Sequence, residues 1–194
     1  MKLLAEKSTA GIVVGTIVGM ICTGGVVISL VIGCQARRAA ALLANASTME
    51  QLQTVISRYP QSDAAASALL LLAEKQRHVG RLNESSVTYK KFLSGFRKHS
   101  LAPAAALGIA ENTLVSGYLP AGIADLQALA TKYPTSFVAP FSLYAQAELL
   151  TIQVGRIPEA RALLQNLTMK FPDSVFSCYS ARLLFLLNAR QAKE

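Results

Sequence analysis

Three stretches of this chain are versions of one pattern. Leu52 to Ser62, Leu126 to Ser136 and Leu164 to Ser174 all read L-Q-x-(V/L)-x-x-(K/R)-(Y/F)-P-x-S. Their starts lie 74 and then 38 residues apart, so the first gap spans two periods of 37. A worn copy fills it at Lys90 to Ser100, ending Phe96-Arg97-Lys98-His99-Ser100. Two further markers keep the period. Ala73-Glu74, Ala110-Glu111 and Ala147-Glu148 recur at 37 and 37, and Gly80-Arg81-Leu82, Gly117-Tyr118-Leu119 and Gly155-Arg156-Ile157 at 37 and 38. A period of this size constrains the chain to a stack of like units, because one unit cannot bury its apolar face alone.

Each marker has a physical job. Pro after the aromatic cannot continue a helix and pushes its predecessor toward extended geometry. The Ser that follows can accept a hydrogen bond from the free N–H groups of the next helix. The Gly supplies a turn needing positive φ. Each period therefore reads helix, Gly turn, helix, Pro-x-Ser corner. Leu69, Leu72 and Ala73 lie on one face of the first helix, answered by Leu82, Ser85, Tyr89 and Phe92 from the second. Small Ala73, Ala110 and Ala147 let paired helices approach closely. The spacing predicts an all-α domain with hairpins at about 63–98, 101–134 and 137–172. A half-repeat at about 48–59 precedes them. A final helix at about 174–190, mixing Phe176, Leu183, Leu186 and Leu187 with Arg182 and Arg190, is predicted to cap them.

This pattern resembles the tetratricopeptide family, over about Met49 to Ala189. The longer period and the Tyr-Pro-x-Ser corner are similar to its bacterial cell-envelope branch. That branch includes the ancillary Sec translocon subunit, the outer-membrane assembly lipoprotein and the cell-division coordinator. Gln76 and Thr113 depart from the pattern, standing where it has Tyr. Arg97-Lys98 replaces a corner Pro, and the third hairpin carries one extra residue between Glu148 and Gly155. The resemblance implies a protein-binding scaffold, with first helices lining a groove, in export, folding or envelope assembly.

Ahead of the repeats, Gly11 to Gly33 holds 23 residues without a charge, in a chain that is 52% hydrophobic and 15% charged. At ~1.5 Å per residue a helix of that length spans about 35 Å, enough to cross a bilayer core of ~30 Å. A cleaved signal peptide would have a shorter apolar run of ~7–15 residues. The expected organisation is a tail at 1–10, a transmembrane anchor at 11–34, a helical linker at 35–47 and the repeat domain at 48–194. The alternative is a lipoprotein. Val31-Ile32-Gly33-Cys34 resembles a lipobox, and Cys34 would carry the lipid. The expected location is a bacterial inner membrane with the repeat domain in the periplasm. That side follows from the resemblance, since Lys2 and Lys7 balance Arg37 and Arg38 across the segment.

No catalytic constellation is visible, so the expectation is a non-enzyme without a cofactor. His78 and His99 sit in polar, basic stretches and read as solvated. No zinc-ligand spacing, P-loop or dinucleotide fingerprint occurs. Three features could carry binding. Gly11, Gly15 and Gly19 lie on one helix face, where another membrane helix, including a second copy, could approach. Glu74, Glu111 and Glu148 recur in register on first helices and could hold a basic or amide-rich peptide. The sequence carries a net charge of +8. Residues 74–99 hold seven basic groups (Lys75, Arg77, Arg81, Lys90, Lys91, Arg97 and Lys98) against two acidic ones. That basic face suits anionic lipid or an acidic partner protein. Thin aromatic interleaving argues against nucleic acid.

Overall fold

The structure is a computed structural model and describes residues 32–191. Nine helices follow one another with no strand among the described residues. They are α1 (32–44), α2 (Met49–Arg58), α3 (Asp63–His78), α4 (Leu82–Gly95), α5 (Ala102–Val115), α6 (Leu119–Lys132), α7 (Val138–Thr151), α8 (Ile157–Lys170) and α9 (Val175–Gln191). The hairpins α3–α4, α5–α6 and α7–α8 fall where the period predicts them.

The chain divides within α3 into two compact units, Met1–Ala68 and Leu69–Glu194. In the first, α1 buries Ala39 completely, and α2 buries Leu52, Val55 and Ile56. Thr48 opens α2 with a capping box, its hydroxyl accepting from Gln51 N–H while the Gln51 side chain accepts from the Thr48 N–H. The anchor reading rests almost entirely on residues outside those described. Gly11, Gly15 and Gly19 are among them. Among the described residues no helix is long and apolar enough to cross a membrane. Gly33 and Cys34, at the end of the predicted anchor, lie in α1, and the Cys34 thiol is exposed and free.

In the second unit the small residues do what the sequence suggests. Ala73, Ala110 and Ala147 are buried, as are Ser85, Gly122 and Ala160 on the facing second helices. A Cβ at Gly108 would collide with the ring of Tyr89, and one at Gly122 with Leu114. These glycines bring α5 close to α4 and to α6. Around them lie two apolar clusters. One holds Ala110, Leu126, Leu129 and Val138, and the other Ala147, Leu150, Ala160, Leu164 and Leu187.

The turns repeat as well. Gly80, Gly117 and Gly155 have φ of 78°, 86° and 76°, and no other described residue has positive φ. At the first two, the N–H after Gly reaches back five residues, Arg81 to Gln76 O at 2.8 Å and Tyr118 to Thr113 O at 3.2 Å. The third turn runs longer, over Ile152–Arg156, where the extra residue is accommodated.

All four corners share one bond. The N–H of Ser62, His99, Ser136 and Ser174 donates to the carbonyl of Tyr59, Phe96, Tyr133 and Phe171, each at 3.0 Å. The Ser hydroxyls then accept from the next helix, from Ala65 N–H at 3.1 Å, Val138 at 3.4 Å and Phe176 at 3.3 Å. The worn corner sits one residue earlier than the sequence pattern aligns it, so that His99 rather than Ser100 holds the Ser position, its Nδ1 accepting from Leu101 N–H at 3.1 Å.

One expectation about a side chain needs correction. His99 is not a solvated surface group. It is half-buried, with its ring edge-on to Phe92 and Phe96 at 5.5 and 6.4 Å. Tyr133 is half-buried, packed against the cluster of Ala110, Leu126, Leu129 and Val138 with the Lys132 ammonium 5.2 Å from its ring centroid. The final helix α9 presents a mixed outer surface, with Val175, Tyr179, Phe185 and Leu186 exposed. Phe185 stands two positions from Leu187, which is buried, so they point to opposite sides.

Candidate functional site

The first helices α3, α5, α7 and α9 carry the side chains most suited to binding. From α3, the guanidinium of Arg77 forms an ion pair with the Glu111 carboxylate on α5, both about one-third exposed. Behind it, Tyr89 is buried and its phenol is pushed above the ordinary range. Burial is the main cause, opposed by the Arg77 charge and reinforced by Glu74. Toward the C-terminal end, the Tyr144 hydroxyl on α7 donates to Glu148 Oε1 at 2.8 Å. Burial first, then that bond, push the Tyr144 phenol up to about 12, while Arg182 on α9 acts in the opposite sense.

Three further aromatic rings, Phe141, Phe176 and Tyr179, cluster with Tyr144. Tyr144 lies 5.8 Å from Phe176 and 6.0 Å from Tyr179, and Phe141 meets Phe176 edge-on at 5.5 Å. Tyr179 remains about half exposed. Offset and edge-on rings at these distances hold one another in place. The result is a firm, amphipathic ledge between α7 and α9, flanked by Glu148 and Arg182. The sequence signal for it is the i, i+3 pairing of Phe141 with Tyr144 and of Phe176 with Tyr179, which the repeat markers do not include.

The glutamates in register are thus not equivalent. Glu111 is engaged by Arg77 and Glu148 by Tyr144, whereas Glu74 is exposed. Nor do the seven basic groups form a single face. Arg77 turns onto Glu111, and Arg81 lies 3.7 Å from Glu84 at the Gly turn. Lys75 is half-buried. Lys90, Lys91, Arg97 and Lys98 are exposed toward the other end of α4 and its corner.

Polar groups inside the hairpins serve packing. At the two positions that depart from the repeat pattern, Gln76 Oε1 accepts from the Thr88 hydroxyl at 2.8 Å, and the Thr113 hydroxyl donates to Asp125 at 3.2 Å. Both links run twelve residues forward, so they are one device used twice. Asn112 Nδ2 ties α5 to α4, donating to Ser85 Oγ at 2.9 Å and Ser86 Oγ at 3.0 Å. Among the described residues no group of three His, Cys, Asp or Glu could hold a metal ion. In the first unit a groove of about 890 Å³ lies between α1 and the corner at Arg58–Asp63, lined mainly by Ile32, Ala36, Ala40, Leu43 and Ala44 on the α1 side.

No protein-family model and no curated protein matches this chain. Among solved structures it is similar to a tetratricopeptide repeat protein from Parabacteroides merdae ATCC 43184. The TM-score is 0.54 at 20% sequence identity, over 73% of this chain and 53% of that one. The chain spans about half the length of that structure. The class is therefore an all-α solenoid of helical hairpins resembling the tetratricopeptide fold.

Proposed function

We propose that this chain is a non-enzymatic scaffold of the bacterial cell envelope, anchored by a transmembrane helix over 11–34 and binding protein partners through its first-helix face. The observation that carries the reading is the ledge of Tyr144, Phe176 and Tyr179 between Glu148 and Arg182. Aromatic rings give large contact area at low entropic cost, and the flanking charges fix orientation. Such a surface suits a peptide segment with an apolar anchor and charged neighbours. In the tetratricopeptide-like stack this face belongs to consecutive first helices, so an elongated segment can touch several repeats. No cofactor enters this reading. The repeat domain is assigned to the periplasm, in export, folding or envelope assembly, by the sequence resemblance. Self-association through Gly11, Gly15 and Gly19 belongs to the same reading.

The test is site-specific photocrosslinking in intact cells. A benzophenone side chain at Tyr179 should capture one discrete partner, and the same group at exposed Met169 on α8 should not. Equal patterns at both sites, or none at Tyr179, would sink the assignment. Retention in the membrane after carbonate extraction tests the anchor. Accumulation of a precursor in globomycin would replace it with the lipoprotein reading through Cys34.

A further inference from the structure

The hairpin stack has two edges, one made of Gly turns and one of corners. Because consecutive helices pack antiparallel, the corners α4–α5, α6–α7 and α8–α9 all fall on the same edge. Their charge is one-sided. Lys98, Lys132 and Lys170 are exposed, with Lys91 and Arg97 beside the first, and none of these is in an ion pair among the described residues. Between 91 and 175 the corner residues include a single carboxylate, Asp173. At the Gly-turn edge the arginines are neutralised instead, Arg81 by Glu84 at 3.7 Å and Arg156 by Glu159 at 2.6 Å.

The same corners carry protruding apolar groups. Leu101, Phe137 and Val175 are 40%, 62% and 58% exposed, and each follows the corner's capping residue by one or two positions. The Gly-turn edge also exposes apolar groups, Val115 and Tyr118 among them, so apolarity alone does not distinguish the edges. The unpaired positive charge does. Helix-dipole complementarity accounts for Lys132 and Lys170 in the last turns of α6 and α8, but not for Arg97, Lys98 or the apolar groups beside them.

We propose that the corner edge is a membrane-facing surface, on which Leu101, Phe137 and Val175 enter the interfacial layer of an anionic bilayer while the lysines and Arg97 meet its headgroups. Basic groups beside protruding apolar side chains are what an anionic interface rewards, through area buried at the acyl boundary and attraction at the surface. A soluble polyanion would meet the charges and leave the apolar groups in water. Lipid is chosen over an acidic protein partly on the anchored reading, which keeps a bilayer within reach of the domain.

The chain has no tryptophan, so a single one reports its own surroundings. Full-length Phe137→Trp and Val115→Trp are reconstituted into nanodiscs of phosphatidylcholine alone or of phosphatidylcholine with phosphatidylglycerol, with and without brominated acyl chains. Trp at 137 should move to shorter emission wavelengths and be quenched by bromine in the anionic discs, and much less in the neutral ones. Trp at 115 should stay water-exposed in both. Adding Lys132→Glu and Lys170→Glu should return Trp at 137 to its behaviour in neutral discs. No quenching at 137 in anionic discs, or equal quenching at both sites, overturns the proposal. So does a response at 137 to polyadenylate or polyglutamate without one to lipid. Co-elution with neutral discs reads the anchor separately. Protein that co-elutes with them but lacks quenching at 137 keeps the anchor and loses the edge, and the converse loses the anchor alone.

Discussion

The Gly-turn edge and the corner edge reverse the chain between the same kinds of helix, but by different means. At the Gly turns the backbone does it, with positive φ at Gly80, Gly117 and Gly155. At the corners side chains do it, through an aromatic, a capping acceptor and one repeated 3.0 Å main-chain bond. A backbone device tolerates few residue types, because a Cβ is disfavoured at positive φ. A packing device tolerates substitution as long as the volume and the acceptor survive. Within this chain, Gly is kept at all three turns, while one corner has replaced Pro and Ser with Arg97 and His99 and kept its geometry.

The largest expected effect falls on the corner edge. Phe92 is fully buried, its ring 5.6 Å from that of Phe96 and edge-on to His99. Phe92→Ala should cost ~3–5 kcal/mol in denaturant unfolding. Hydrogen exchange should rise first in α4 and α5, as expected for a stack of nearest-neighbour contacts. A loss below about 1 kcal/mol would mean that packing does not hold this corner.

The Gly-turn edge should respond to a much smaller change. Gly117→Ala meets no atom within 4 Å, so its cost is purely the left-handed backbone, ~1–2 kcal/mol. Gly95→Ala, within α4 at ordinary φ and with equally open space, should be neutral or slightly stabilising by helix propensity. If Gly117→Ala behaves like Gly95→Ala, the turn does not depend on its φ.

His99→Ser separates cap from packing within one corner. Serine keeps an acceptor for Leu101 N–H but loses the ring contacts, so the expected loss is ~0.5–1.5 kcal/mol. A double-mutant cycle with Phe96→Ala should recover most of it as coupling. Independent, additive losses would show that the imidazole works only as an acceptor. Smaller still is Ser136→Ala, at ~0.5 kcal/mol, because the bond from Val138 N–H is long at 3.4 Å.

A titration of the first-helix face, outside both edges, gives the smallest signal. Tyr144 is held protonated up to about 12, above its ordinary value near 10. The folded state therefore binds that proton more tightly than the unfolded one. Its contribution to stability is complete below pH ~10 and is lost as pH rises through about 12. In Tyr144→Phe the fall in stability between those values should be shallower. Unchanged slopes would place the raised phenol elsewhere, and absorbance of tyrosinate would locate it.

Much of this was legible in the sequence. Hairpin limits followed from Pro and Gly spacing because those residues act on their own backbone, with no help from distant parts of the chain. Ala73, Ala110 and Ala147 were readable as close-approach positions for the same reason, since a register fixes which residues face each other. The pairing of Arg77 with Glu111 was not readable, nor was the meeting of Tyr144 with Tyr179. Both join consecutive first helices, and the offset of one hairpin against the next is set by packing volumes summed over the whole contact. His99 was misread because its role depends on rings at Phe92 and Phe96 that the local sequence makes look merely basic.

Periodicity by itself determined that this chain is all-α, that it builds hairpins, and where each one turns. Those are consequences of backbone chemistry at single residues, repeated every 37 or 38 positions. Only the tertiary structure decided which charges are spent inside the molecule and which are left outside. Among the described residues, Arg77, Arg81 and Arg156 found carboxylates within reach, while Lys98, Lys132 and Lys170 did not. A charge's partner is a matter of a few ångströms in space, and the sequence records only its order along the chain.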